Sequence, residues 1–197
     1  MASISICQEP RVERDRLWML RKLEVDCTHV REPRLFDTFQ AAPNLRIIDI
    51  ADWGRPWHDI GQFPLLPWRQ LQQVAFTGDV RDSLELLRLS PNLLVFKLTT
   101  DSDSDSLVGW NHIRHAFLRE LAIDADNRGS SDFFGALTLP ALVSLSYSGE
   151  EFPRDGITSM VNRSDISQSL DVFSLTLETI YEGVVPSIAS KDIVEFL

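Results

Sequence analysis

The sequence predicts an α/β solenoid: a curved parallel sheet of about seven strands, with helical and irregular crossovers stacked on its convex side. Three observations carry that expectation. First, seven segments fit the form Leu-x-x-apolar-x-apolar. They are Leu20-Leu23-Val25, Leu45-Ile48-Ile50, Leu71-Val74-Phe76, Leu93-Phe96-Leu98, Leu118-Leu121-Ile123, Leu142-Leu145-Tyr147 and Leu170-Phe173-Leu175. Second, their first leucines lie 25, 26, 22, 25, 24 and 28 residues apart, inside the band of about 20 to 29 residues that one strand plus its crossover occupies. Third, Pro43-Asn44-Leu45 returns as Pro91-Asn92-Leu93 and, relaxed, as Pro140-Ala141-Leu142. In a chain that is 44% hydrophobic, apolar triples arise easily by chance. The invariant leucine and the shared lead-in therefore carry more weight than the triples.

Each strand follows from the motif. The fourth and sixth positions are two apart and point to one side of an extended chain. The residues between and beside them point the other way and are mostly polar. That wet side is the candidate binding face: Lys22, Glu24 and Asp26, then Asp49, then Gln73 and Thr77, then Lys97. The later strands add Glu120 and Asp124, Ser144 and Ser146, and Ser174. The face passes from acidic and mixed to small and hydroxylic along the chain.

A parallel sheet needs a crossover after every strand, and the 15 or more residues between motifs suffice. Helical spacing is expected at Leu35–Gln40, and in a short helix capped by Asp82, carrying Leu84 and Leu87 and stopped by Pro91. Another begins at Ser131 or Asp132 with Phe133, Phe134 and Leu137; Asp155–Val161 and Ser190–Leu197 are further candidates. Residues 51–70 hold Gly54, Pro56, Gly61, Pro64 and Pro67, and residues 99–117 hold an Asp-Ser run, both poor helix material. Residues 1–16 read as a tail or poor cap, and 17–197 as the arc itself, cut short.

Net charge is -10 and the pI is about 4.8, which speaks against nucleic acid and anionic membranes as partners. A basic or mixed protein surface is the expected partner. Two cysteines, Cys7 and Cys27, are too few for a disulfide scaffold. With no leader-like start and no stretch of 18 apolar residues, an intracellular place, cytoplasm or nucleus, is expected.

No cofactor, metal or catalytic site is expected either. Asp101-Ser102-Asp103-Ser104-Asp105 begins like a calcium loop, but the sixth and twelfth places hold Ser106 and His112 where a Gly and a Glu are needed. His112 and His115 lack a third ligand and read as surface histidines. The thiols have no catalytic partner signature, and no glycine-rich phosphate loop or nucleophile elbow occurs. The chain is expected not to be an enzyme. Trp53, Trp57, Trp68 and Trp110 fall in the helix-poor crossovers, where they are expected to complete the core; exposed anchors for a partner protein are the alternative.

These features resemble the leucine-rich-repeat region of fungal F-box proteins. The carrying residues are helix-then-Pro-Asn-Leu at Phe36–Leu45 and Leu84–Leu93, Leu-Pro-Trp at Leu66–Trp68, and Leu-Thr-Leu-Pro-Ala-Leu at Leu137–Leu142. The likeness spans about residues 17 to 197. It implies a leucine-rich-repeat solenoid whose polar face binds proteins, possessed by a substrate-recognition arm of a ubiquitin ligase. The sequence departs from that family at two points. Met1–Arg16 leaves no room for the F-box that docks onto the ligase adaptor, so an adaptor is a partner only if an F-box is supplied elsewhere. The Asn that many such repeats place three residues past the sixth position is replaced by Thr28, Trp53, Asp79, Asp101, Asp126, Glu150 and Glu178. A free-standing scaffold or regulator, and a truncated paralogue without function, are the alternatives.

Overall fold

A computed structural model describes residues 2–6, 14–26, 38–51, 66–100, 112–125, 130–167 and 169–177. Eight strands form one sheet in the order in which the chain makes them. They are β1 (Ala2–Ile6), β2 (Leu20–Asp26), β3 (Ile47–Ala51), β4 (Gln73–Thr77) and β5 (Val95–Thr100), then β7 (Glu120–Ala125), β9 (Ser144–Gly149) and β10 (Val172–Leu177). Every neighbouring pair is parallel. The fold is therefore α/β, as expected, and seven of the eight strands are the seven motif segments. The eighth, β1, adds an edge strand within the segment that the sequence assigns to a tail or cap.

The pairing register steps through the chain at the motif spacing. Leu23 pairs with Ile48, then Val74, Phe96, Leu121, Leu145 and Phe173 in turn. The apolar side is a stack of three rows. The first holds Leu20, Leu45, Leu71, Leu93, Leu118 and Leu142, the second the residues just named, the third Val25, Ile50, Phe76, Leu98, Ile123 and Tyr147, and all are buried. Each buried leucine or phenylalanine contributes roughly 1.5–3 kcal/mol of transfer free energy, so the rows rather than any single contact hold the sheet. Leu170, just before the last strand, and Leu175, on it, are only partly buried.

At the starts of β4, β5, β7, β9 and β10 two successive amides donate to one carbonyl of the preceding repeat. Arg46 O accepts from Gln72 and Gln73 (2.8 and 3.1 Å), Gln72 O from Leu94 and Val95, Leu94 O from Arg119 and Glu120. Arg119 O then accepts from Val143 and Ser144, and Val143 O from Asp171 and Val172. A carbonyl has two lone pairs, and this sharing satisfies the amide that precedes each parallel ladder.

The described crossovers differ from one another. Helix α1 (Val80–Leu89) buries Val80, Leu84 and Leu87, a spacing of four and three residues that lies on one helix face. Its cap is Asp79, whose side chain accepts from the Asp82 amide at 2.7 Å, and not Asp82, which is buried in the first turn. The cap falls one turn earlier because a carboxylate at the N-cap reaches the third amide beyond it. The helix stops at Ser90, ahead of Pro91, whose ring disfavours helical backbone in the preceding residue.

Helix α2 (Ser130–Gly135) carries Phe133 and Phe134 into the core. Leu137, expected on the same helix, lies instead in β8 (Leu137–Thr138), which pairs with β6 (Ile113–Arg114) in a second, two-stranded parallel sheet. Helix α3 (Arg154–Ser164) contains the expected Asp155–Val161 and buries Ile157, Met160, Val161 and Ser164. It packs on α2 at backbone distance: a Cβ on Gly156 would collide with the Ser131 carbonyl. The helix ends in Asp165, which adopts a left-handed conformation (φ 55°).

Of the expected helix over 35–40 only the end is described, a single 3-10 turn over 38–41 ahead of Pro43. Before β4 a three-residue 3-10 turn, Trp68–Gln70, stands where no helix is expected. Trp68 is buried there as a core residue. Trp53, Trp57 and Trp110, the Asp-Ser run and the 190–197 segment lie outside the described residues.

Candidate functional site

The polar side of the sheet is assembled by the same register that assembles the core, because successive side chains alternate sides. Three rows cross it. One passes from Lys22 through Ile47, Gln73, Val95, Glu120 and Ser144 to Val172. The central row runs Glu24, Asp49, Ala75, Lys97, Ala122, Ser146 and Ser174. The third joins Thr77, Thr99, Asp124, Ser148 and Thr176, with Asp26 two strands before Thr77. At the edge, Ser3 and Ser5 of β1 sit in register with Lys22 and Glu24.

All twelve residues of the expected face are thus on strands of one sheet. Lys97, Asp124 and Ser174 are exposed, and Lys22, Glu24, Asp26, Asp49, Gln73, Thr77, Glu120, Ser144 and Ser146 are half-buried. Half-burial follows from strand spacing: side chains on adjacent strands stand only about 4.8 Å apart and cover one another's stems.

The charges are not evenly matched. Lys22 Nζ pairs with Glu24 at 2.5 Å. The hydrogen bond that the Lys22 ammonium donates to Glu24 holds its pKa above the ordinary range, and the Asp49 charge adds to this. Lys97 makes no ion pair with any described residue. Its register neighbours, Ala75 and Ala122, are too short to reach it. Glu120 and Asp124 flank Ala122 on the next strand.

Sequence reasoning missed a second constellation, at the strand starts. The Asn44 side chain donates from Nδ2 to the Trp18 carbonyl and the Asn92 side chain to the Arg69 carbonyl, both at 2.6 Å. Gln70 Nε2 donates to the carbonyls of Ala42 (2.6 Å) and Leu45 (3.0 Å). These three amides stand immediately before the leucines that lead into β3, β4 and β5, and each reaches back one crossover. Further along, Arg163 donates to the Phe134 and Leu137 carbonyls, and Ser164 Oγ accepts from the Leu139 amide at 2.7 Å. The Asn absent from the turns after the strands has a counterpart before them, and Pro-Asn-Leu was its signal.

The two histidines do not share a face for a ligand. His112 is exposed, whereas His115 is buried, which corrects its reading as a surface residue. His115 Nε2 lies 2.9 Å from the Ser90 carbonyl, and because a carbonyl only accepts, that nitrogen carries the proton. Nδ1 is then a buried lone pair without a partner among the described residues. Burial pushes the imidazole below its ordinary pKa, against a smaller opposing effect of the Ser90 bond.

Among the described residues no group of three or more His, Cys, Asp or Glu is placed to hold a metal ion. Also among them, no helix is long and apolar enough to cross a membrane. Cys7 and Cys27 lie outside the described residues. No family model, curated protein or solved structure matches the chain.

Proposed function

We propose that the chain is a leucine-rich-repeat protein-interaction module that holds an extended segment of another protein against the polar side of its sheet. The observation that supports this reading is the unbroken register from β2 to β10. It lines up polar side chains in continuous rows and leaves them exposed or half-buried. Arrays of this kind use such extended surfaces for recognition. The partner is basic or mixed in charge, since Glu24, Asp26, Asp49, Glu120 and Asp124 outnumber Lys22 and Lys97. An intracellular setting and a role as the substrate arm of a ubiquitin ligase extend the same reading through the likeness to F-box proteins. A scaffold or regulator acting without an adaptor uses the same face.

From β2 to β10 the face is six strand spacings wide, about 29 Å, which an extended peptide of about nine residues spans. The test is selection of peptides about twelve residues long from a random display library against the immobilised chain. Enriched peptides are then titrated against the wild type and a variant combining Glu24→Lys, Asp49→Lys, Glu120→Lys and Asp124→Lys. Cationic peptides that lose binding to the variant are expected. Peptides that bind both proteins equally refute the reading.

A further inference from the structure

Resting on that reading, we infer that the segment recognised carries a carboxylate at its centre, seated on Lys97 and flanked on both sides by basic residues. A uniformly acidic face would select a uniformly basic partner. This face is not uniform. Its negative charges form two groups, Glu24, Asp26 and Asp49 on β2 and β3, and Glu120 and Asp124 on β7, with a cation between them on β5.

Lys97 differs from the other face cation in two respects. Lys22 is neutralised within its own strand by Glu24, whereas Lys97 is exposed and pairs with no described residue. Its neighbours in the row are Ala75 and Ala122. Neither single-methyl side chain can reach the ammonium at the end of the four-carbon stem. The exposed ammonium is therefore left for a ligand carboxylate. Glu or Gln at either position would have reached the ammonium and occupied it, as cross-strand neighbours lie within about 5 Å.

The spacing defines the ligand. Asp49 and Lys97 are two strands apart, about 9.6 Å, and Asp124 is one strand and two residues from Lys97, about 8 Å. An extended chain advances about 3.3 Å per residue. A segment crossing the strands therefore places a basic residue over Asp49, a carboxylate about three residues on, and a second basic residue two to three residues beyond it, near Asp124. Wrong-sign juxtaposition at the centre is unfavourable, so Lys97 acts mainly in choosing among basic partners and fixing their register.

The same peptide selection tests this, followed by titration against the wild type and Lys97→Glu. Lys97 is an exposed strand residue, and an unchanged melting temperature in the variant confirms that it is folded. The expected result is enrichment of basic–acidic–basic peptides with about three-residue spacing, with affinity falling at least about tenfold for Lys97→Glu. Exchanging the peptide carboxylate for lysine should restore binding to that variant. Basic peptides without a central carboxylate, bound equally by wild type and Lys97→Glu but lost on reversal of the four acidic residues, overturn this inference and leave the proposed function standing. Failure of both the Lys97 and the acidic variants to alter binding, or no enrichment, overturns both.

Discussion

Replacing Asn92 tests whether the residue before each leucine acts as a hydrogen-bond donor or only as a turn former. Its Nδ2 donates to the Arg69 carbonyl 23 residues earlier, at 2.6 Å, and the site is exposed. Water can re-solvate that carbonyl when the donor is lost, so Asn92→Ala costs the lower part of the usual range, about 0.5–1 kcal/mol. For a chain of this length that lowers the melting temperature by about 1–4 °C. Asn92→Asp separates the two explanations. Asp forms the same turns as Asn, but it has no proton to give and sets a carboxylate oxygen against the Arg69 carbonyl. It should therefore cost at least as much as alanine. Asn44→Ala breaks an independent bond to the Trp18 carbonyl, two strands away, and its effect should add to that of Asn92→Ala within about 0.5 kcal/mol. Urea unfolding at raised salt, which screens the Arg69 side chain from a new carboxylate, measures the wild type, the three single variants and the Asn44→Ala/Asn92→Ala double variant. Wild-type stability in Asn92→Asp alongside a destabilised Asn92→Ala refutes the donor role.

Three other perturbations have defined outcomes. His115 is held neutral by burial, its folded pKa below the ordinary value near 6.5, so the unfolded chain takes up the proton first. Stability should be full above pH 6.5 and fall as the pH drops toward the depressed folded value; urea midpoints from pH 7.5 to 5 should decline less steeply in His115→Gln, and parallel profiles would contradict this. A Cβ on Gly149 would stand 2.5 Å from the Ala125 carbonyl and 2.6 Å from the Tyr147 hydroxyl, so Gly149→Ala should cost about 1–3 kcal/mol. Adding Tyr147→Phe should fail to restore the lost stability, since the backbone clash persists; full recovery in chemical denaturation would show that the hydroxyl alone was the obstacle. Phe117 occupies the place before Leu118 that Asn44, Gln70 and Asn92 hold before their leucines, and it is 55% exposed. Phe117→Asn should reach the Pro91 carbonyl and raise stability by about 0.5 kcal/mol, and a lower melting temperature would argue against equivalence of these positions.

Much of this architecture is written in local pattern. Leucine spacing located seven strands to within a residue or two, because a strand with one apolar and one wet side must alternate with period two. The same alternation placed all twelve residues of the polar face. Helix α3 was legible from its own apolar spacing.

What pattern left open depended on partners distant in sequence. Ala2–Ile6 is short and half polar, and only pairing with β2 makes it a strand. Leu137 continues the apolar run of α2, yet its backbone is claimed by Ile113, 24 residues earlier. His115 reads as a surface residue until the Ser90 carbonyl and the surrounding core enclose it.

The sequence by itself determined which side chains share the polar face, since alternation along each strand requires no knowledge of the neighbours. Only the tertiary structure decided which of them stand beside one another. Register across strands separates Lys22, neutralised by Glu24, from Lys97, isolated between Ala75 and Ala122. Two lysines equivalent in pattern thereby become a spent charge and an available one, because electrostatic pairing depends on distances of a few ångströms that crossover lengths alone do not specify.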